Sequence, residues 1–386
     1  MREIIRVERK RLLNRKLLII ISIIILCFSI FSTIKSLKDY TVYDSKGKII
    51  ISSRENLKES KKHKILLNEQ ALNDIVKRKD KGRYLYNLNL VRLVASNYPD
   101  KKVEEITNKE IKNFYNQRIN ILKSKLENGK LKYSDKELDY LISKGKELKQ
   151  PLNVGYVEGW KNLNNGLIDF IPIILVLISI IVLPVFSEDS KTKMRELYIS
   201  TKYGKKLLIK ARIIAGIEVG AILYSVAVVI FSIIKLVIFG IEGYNLPIQS
   251  NINYFFSIIN INFLQQYIMN IAIGFLAMLL LIAITYCFTV LVKQILSGAV
   301  LVVFFWIVMF IMPNNMNIQL THYFANFLPY NMTNFNFYYM SNELYSILGK
   351  IIMNSIWVVI IDLVVFVLLI IITIFISNIK LSRSIK

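Results

Sequence analysis

Six stretches of predominantly apolar residues, at 17–34, 167–186, 213–239, 264–292, 295–312 and 351–377, leave this chain few ways to fold. A bilayer's hydrocarbon core is about 30 Å thick and takes roughly 20 apolar residues at about 1.5 Å of rise each. Every run meets or approaches that length. Backbone amides in lipid have no water to bond, so each segment has to satisfy them internally and the spans are expected as helices. With 54% hydrophobic residues and a mean hydropathy of +0.44, the expected fold class is an all-α polytopic membrane protein with six transmembrane helices.

The residues between the runs set orientation. Residues 1–16 hold seven basic residues against Glu3 and Glu8, and 187–212 hold eight against Glu188, Asp189 and Glu196, whereas 241–263 and 313–349 hold none. Positive charge collects on the cytoplasmic side of short connections, which places both termini and 187–212 in the cytoplasm of a plasma-membrane protein. Residues 35–161 carry a net charge of +12, from 29 basic and 17 acidic residues, yet fall outside; long translocated domains escape the bias. The first run is followed by Lys35 rather than a small-residue cleavage site, so it reads as a retained signal anchor. The resulting order is a basic interfacial segment (1–16), the first span (17–34), an extracytoplasmic domain (35–161), the second span (167–186), a cytoplasmic segment (187–212), the third to fifth spans (213–312), a second outer segment (313–350), the sixth span (351–377) and a cytoplasmic tail (378–386).

The outer insertion is long enough for a small core and is expected to be a mostly helical α+β domain. Residues 41–53 alternate around a turn at Asp44 to Gly47, a β-hairpin pattern. Helices are expected at about 66–79, 84–97, 107–127 and 134–148. Two open with capping-box spacing, Thr107 with Glu110 and Ser134 with Glu137, and Gly129 and Gly145 read as stops.

The overall charge of +23 does not point to nucleic acid, because no basic stripe interleaved with aromatics lies on a soluble domain. Cys27 and Cys287 fall inside apolar runs, where cysteine serves as a small apolar residue. His63 and His322 are far apart and have no zinc-protease spacing. Tyr203, Gly204, Lys205 and Lys206 lack the upstream glycine and the following hydroxyl of a phosphate-cradling loop. No catalytic, metal or cofactor constellation stands out, and no cofactor is expected.

Residues 186–212 read as a short lever. Glu188 and Asp189 suit the positive end of a helix dipole, and Lys202, Lys205 and Lys206 lie beyond its far end. Met194, Leu197 and Tyr198 fall at i, i+3 and i+4 and make one apolar face on a helix too short to stand alone. That face needs a groove in a partner or a bed of lipid headgroups. At the start of the chain, Met1, Ile5 and Leu12 share a face that Glu8 interrupts, so 1–16 reads as a basic anchor on anionic lipid, at about 1 kcal/mol per near-surface charge. Ionisable residues within spans cost about 2.5–3.5 kcal/mol and mark function or pairing. Here they are Asp362, Glu218 and Lys235. Asp362 is expected to face the bundle and pair with Lys235 or a polar group, and Lys235 to snorkel. Gly216 and Gly220 form a G-x-x-x-G packing motif.

The organisation resembles the type-2 permeases of ATP-binding-cassette (ABC) transporters. The resemblance rests on Phe186 and Glu188 at the end of the second span, then Leu197, Ser200, Thr201, Gly204, Lys205 and Lys210, with half of a Gly-Thr pair at Lys191-Thr192, and on Tyr156, Gly159 and Trp160 before the second span. It implies a coupling helix, with Glu188, Met194, Leu197 and Tyr198 touching a separate ATPase subunit, and a second permease subunit. It also implies residues 1–16 as a connecting helix and outward transport of a peptide, drug or lipid-like cargo. Between the fifth and sixth spans it implies short re-entrant helices, which Phe324, Phe327, Pro329, Tyr330, Phe335 and Tyr338 would form; an aromatic interface belt is the other reading of those residues. The alternative to a permease is a transport-inactive membrane sensor that uses its outer domain as a receptor.

Overall fold

The computed structural model describes residues 1–77, 84–129, 131–187, 204–292, 294–312, 325–347 and 350–383. The chain opens with α1 (Arg2–Leu12) and, after a two-residue break, α2 (Arg15–Lys38), whose Asn14 cap accepts a hydrogen bond from the Lys16 amide. The first span is thus longer at both ends than the apolar run. Its buried stripe falls on every fourth residue, Ile21, Ile25, Ser29 and Thr33, while Ile19, Ile20, Ile23, Phe31 and Ile34 are exposed. Ser29 and Thr33 donate to the carbonyls of Ile25 and Ser29, which satisfies their hydroxyls without a partner helix and keeps the packing face small.

The inserted domain follows. Strands β1 (Val42–Tyr43) and β2 (Ile49–Ile51) pair antiparallel around a turn in which Asp44 accepts from the amides of Lys46 and Lys48 and Gly47 takes φ +78°, as the alternation predicts. Then come α3 (Ser53–Ser60), β3 (Lys64–Leu66), α4 (Glu69–Lys77), α5 (Leu85–Ala95), α6 (Asn108–Lys112), α7 (Phe114–Glu127), α8 (Asp135–Lys146) and β4 (Asn153–Gly155). Strand β4 returns to pair antiparallel with β3, Val154 opposite Ile65, and closes the domain. Four expectations change. Helix α3 is not among the expected helices, the helix expected from about 66 starts only at Glu69, after strand β3, 107–127 breaks at Asn113, and Gly145 lies inside α8 rather than ending it. A Cβ on Gly145 would stand 2.6 Å from Leu122 Cδ2, so this glycine lets α7 and α8 approach.

Both capping boxes form. The Glu110 carboxylate accepts from the Thr107 amide at 2.9 Å and from Lys101 Nζ at 2.6 Å, and Glu137 accepts from the Ser134 amide at 2.8 Å. The Lys101 bond, then the Thr107 bonds, hold the Glu110 carboxyl at about 2 instead of the usual 4.5. A carboxylate depressed in the folded state stabilises it above the unfolded value and loses that contribution as pH falls towards the folded one. Protection of the Glu110 and Ile111 amides, relative to their intrinsic exchange at each pH, is therefore expected to fall between pH 4.5 and about 2, and Glu110→Gln to remove that acid limb; an acid limb unchanged in the variant would disprove the cap's role.

Among the described residues, five helices are long and apolar enough to cross a membrane. After α2 these are α9 (Glu158–Val182), continued by α10 (Pro184–Ser187), then α11 (Gly204–Phe239), α12 (Phe263–Leu291) and α16 (Asn354–Arg383). Helix α13 (Ile295–Ile311) is apolar but has 17 residues, about 25 Å at helical rise. It falls on the predicted fifth span, 295–312, and is shorter than the roughly 20 residues a crossing takes, so a crossing there is not established by length. Helix α12 is the hub: 67% of its apolar window is buried, against 11% for α16. Gly216 and Gly220 are where α11 meets it. A Cβ on Gly216 would lie 1.7 Å from Tyr286 Oη, and one on Gly220 would lie 2.6 Å from Ile282 Cδ1.

Between α13 and α16 lie α14 (Pro329–Met332), α15 (Phe335–Met340) and an antiparallel hairpin, β5 (Leu344–Ile347) with β6 (Lys350–Met353). Pro329 starts α14, where a missing amide hydrogen costs nothing. Met332, Phe335, Tyr338 and Tyr339 are buried in the bundle core, with Phe327 and Tyr330 packed against it. Short buried helices, rather than a belt of exposed rings, thus occupy this segment; Phe324 and His322 fall outside the described residues. The chain is a helix-rich, multi-pass membrane protein with one large mixed α/β insertion.

The inserted domain is not self-contained. Phe255, Phe256 and Ile258, from the connection between α11 and α12, belong to its hydrophobic core, and Leu344 and Met353 pack against it. The Tyr156, Gly159 and Trp160 element clasps the end of α11: the Tyr156 hydroxyl donates to the Phe239 carbonyl, and Trp160 Nε1 to the Ile241 carbonyl at 2.9 Å. A Cβ on Gly159 would meet the Gly240 oxygen at 1.7 Å. Three connections, 36–157, 240–262 and 325–353, therefore gather at one end of the bundle.

Candidate functional site

At the opposite end, α1 packs along the first turns of α11. Glu8, which breaks the apolar face in sequence, is buried because Arg212 of α11 is buried against it. Arg212 Nε donates to Glu8 Oε1 at 3.3 Å, with the two side chains 5% and 6% exposed. Arg11 adds a second cation to Glu8 at 2.9 Å and donates to the Val185 carbonyl at 3.2 Å. Arg9 reaches Glu218 at 3.2 Å, half-exposed on both sides. Phe186 packs edge-on against Tyr286, ring centroids 5.4 Å apart.

These contacts fall on both roots of one segment. Val185 and Phe186 precede residues 188–203, and Arg212 and Glu218 follow them, so α1 fastens the exit of the second span to the entry of the third. Glu188, Met194, Leu197 and Tyr198 lie outside the described residues. A surface ion pair such as Arg9 with Glu218 contributes about 0–1 kcal/mol. The buried pair behaves differently: water is excluded, so each charge depends on the other. The arrangement makes a stiff frame around the segment, with charge pairs as its joints.

The other intramembrane candidates lie apart from this frame. Lys235 does not snorkel. It is fully buried, and Nζ donates to the Ser32 carbonyl and the Ser36 hydroxyl, both at 3.0 Å, with the rings of Phe231 and Phe239 near 5.6 and 5.8 Å. Its acceptors come from the last two turns of α2, about two hundred residues away, which is why sequence spacing gave no sign of them. Asp362 is also fully buried and faces the bundle, but the expected pair with Lys235 does not form; among the described residues neither carboxylate oxygen has a hydrogen-bond partner.

Two further polar clusters, both unread in sequence, line the domain-side half. Asn270 of α12 donates to Asn164 of α9 at 2.9 Å, and the Tyr339 hydroxyl donates to Asn270 at 2.7 Å. Glu343, 7% exposed, accepts from Asn326 at 3.1 Å and from Asn354 at 2.9 Å. Among the described residues no group of three or more metal-ligating side chains occurs. No protein-family model, no curated protein and no solved structure matches the chain; its role has to be argued from this geometry.

Proposed function

We propose that the chain is the membrane-spanning permease subunit of an ABC exporter of the type-2 kind, working with a second permease subunit and driven by separate ATPase subunits. The observation that carries this reading is the α1 frame: a short charged segment is anchored at both roots, by Arg11 to Val185 and by Glu8 to Arg212. A push on such a segment moves the second and third spans together. The positive-inside bias puts the frame in the cytoplasm, where a nucleotide-hydrolysing partner resides, and the inserted domain outside. An apolar bundle under a basic outer domain suits a peptide, drug or lipid-like cargo.

The test begins with the motor. Purified from its native membrane, the chain is expected to bring a nucleotide-binding subunit with it and to stimulate that subunit's ATPase activity in liposomes. Changing Met194, Leu197 and Tyr198 together to aspartate puts three charges on the face read as docking and is expected to return ATPase activity to the motor's basal rate. Stimulation that survives the triple change would show that the segment transmits nothing.

A further inference from the structure

We propose that Asp362 is a protonation site within the membrane, below the cleft under Glu343 on the domain side of the bundle. The site is built on one face of α16. Its buried residues include Asn354, Val358 and Asp362 at successive turns, and eight residues of helical rise put Asp362 about 12 Å below Asn354. At the top of that stripe a small cleft is lined by Tyr338, Ser341, Asn342, Glu343 and Asn354. It offers about 10 Å³, near the smallest space that holds a water, and Asn354 Oδ1, buried in its wall, has no hydrogen-bond partner among the described residues.

Asp362 has no better use for its charge. Titratable groups on the packed elements are engaged elsewhere: Glu218 with Arg9, Lys235 with Ser32 and Ser36, Tyr224 with the Ile271 carbonyl, Tyr286 with the Ile213 carbonyl and Cys287 with Thr373. On the hairpin side Glu343 is held by Asn326 and Asn354, and Lys350 is exposed. An ionised carboxylate without a partner costs several kcal/mol in such surroundings, and a metal cation would need about six oxygens where one carboxylate stands. A proton satisfies the group with one new O–H bond. That proton comes from a hydronium ion of the bulk, which leaves as water. The site does not depend on the motor reading and holds for any function of the bundle.

Infrared difference spectroscopy of the full chain in lipid vesicles tests this. An alkaline step is expected to bleach a carboxylic-acid C=O band that D362N lacks and that D362E moves, so the assignment survives if one variant fails to fold. A band that neither variant affects, or one indifferent to pH, overturns the site.

Discussion

Glu8→Ala is expected to destabilise the bundle by about 3–5 kcal/mol, the usual cost of removing one member of a buried ion pair. The reason lies in what remains. Arg212, 4% exposed, loses the carboxylate that compensates its burial. Arg212→Ala should cost less, because Arg11 still holds Glu8 at 2.9 Å. Replacing both residues by methionine leaves no fully buried charge without its partner, since Arg11 is partly exposed and keeps the Val185 carbonyl, and is expected to fall close to the unaltered protein, because apolar side chains of similar volume substitute well for buried pairs. Arg9→Ala, at the half-exposed pair, should change stability by no more than about 1 kcal/mol. Equilibrium unfolding in mild detergent, arranged as a double-mutant cycle, checks all four. Additive single changes would mean that Glu8 and Arg212 act independently, and the frame would lose its joint. For a fold whose whole stability is about 5–15 kcal/mol, the joint is a large fraction. The methionine pair then separates stability from transmission: it should fold, yet carry a push less faithfully than a pair fixed by charge.

Periodic and local features were legible; partnerships across the chain were not. The apolar runs located α2, α9, α11, α12 and α16 because length in lipid is fixed by bilayer thickness. Thr107 with Glu110 and Ser134 with Glu137 were legible because a capping box closes within four residues. Glu8 was the reverse case: read along its own helix it is a flaw in an apolar face, and only Arg212 turns it into a contact. Lys235 follows the same logic, since a lysine near a helix end snorkels by default unless another helix brings carbonyls to it. The charge count for the connection 241–263 registers only its lack of basic residues, although Tyr254, Phe255, Phe256, Ile258 and Ile259 are too apolar for a plain loop. That run was the available signal that the inserted domain borrows part of its core. The face of Met194, Leu197 and Tyr198 is as legible in sequence as the capping boxes, and it lies outside the described residues.

Arg118→Leu is expected to detach that borrowed core and cost about 3–5 kcal/mol. Arg118 is 1% exposed and donates to three carbonyls: Phe255 at 2.8 Å, Gly145 at 3.0 Å and Ser257 at 3.0 Å. Burial lowers its guanidinium to about 10, still far above neutral, so the group is a cation that bridges α7, α8 and the α11–α12 connection at once. Leucine supplies the apolar volume but no donor, and each buried carbonyl left without a partner costs about 1–3 kcal/mol. Relaxation that lets water reach some of them keeps the total below the simple sum. Arg118→Lys keeps the charge but not the planar fork and should recover only part of the loss. Because the carbonyls lie on two separate segments, α8 and the α11–α12 connection, the failure should be local before it is global. Limited proteolysis is expected to open near residues 250–260 while the spans stay protected, and amide exchange to rise in α7 and α8 together. If R118L unfolds within about 1 kcal/mol of the unaltered chain, the connection is held by Phe255 and Phe256 packing alone. The inserted domain would then be joined to the third and fourth spans by apolar contact, free to rock on them rather than moving as one body with them.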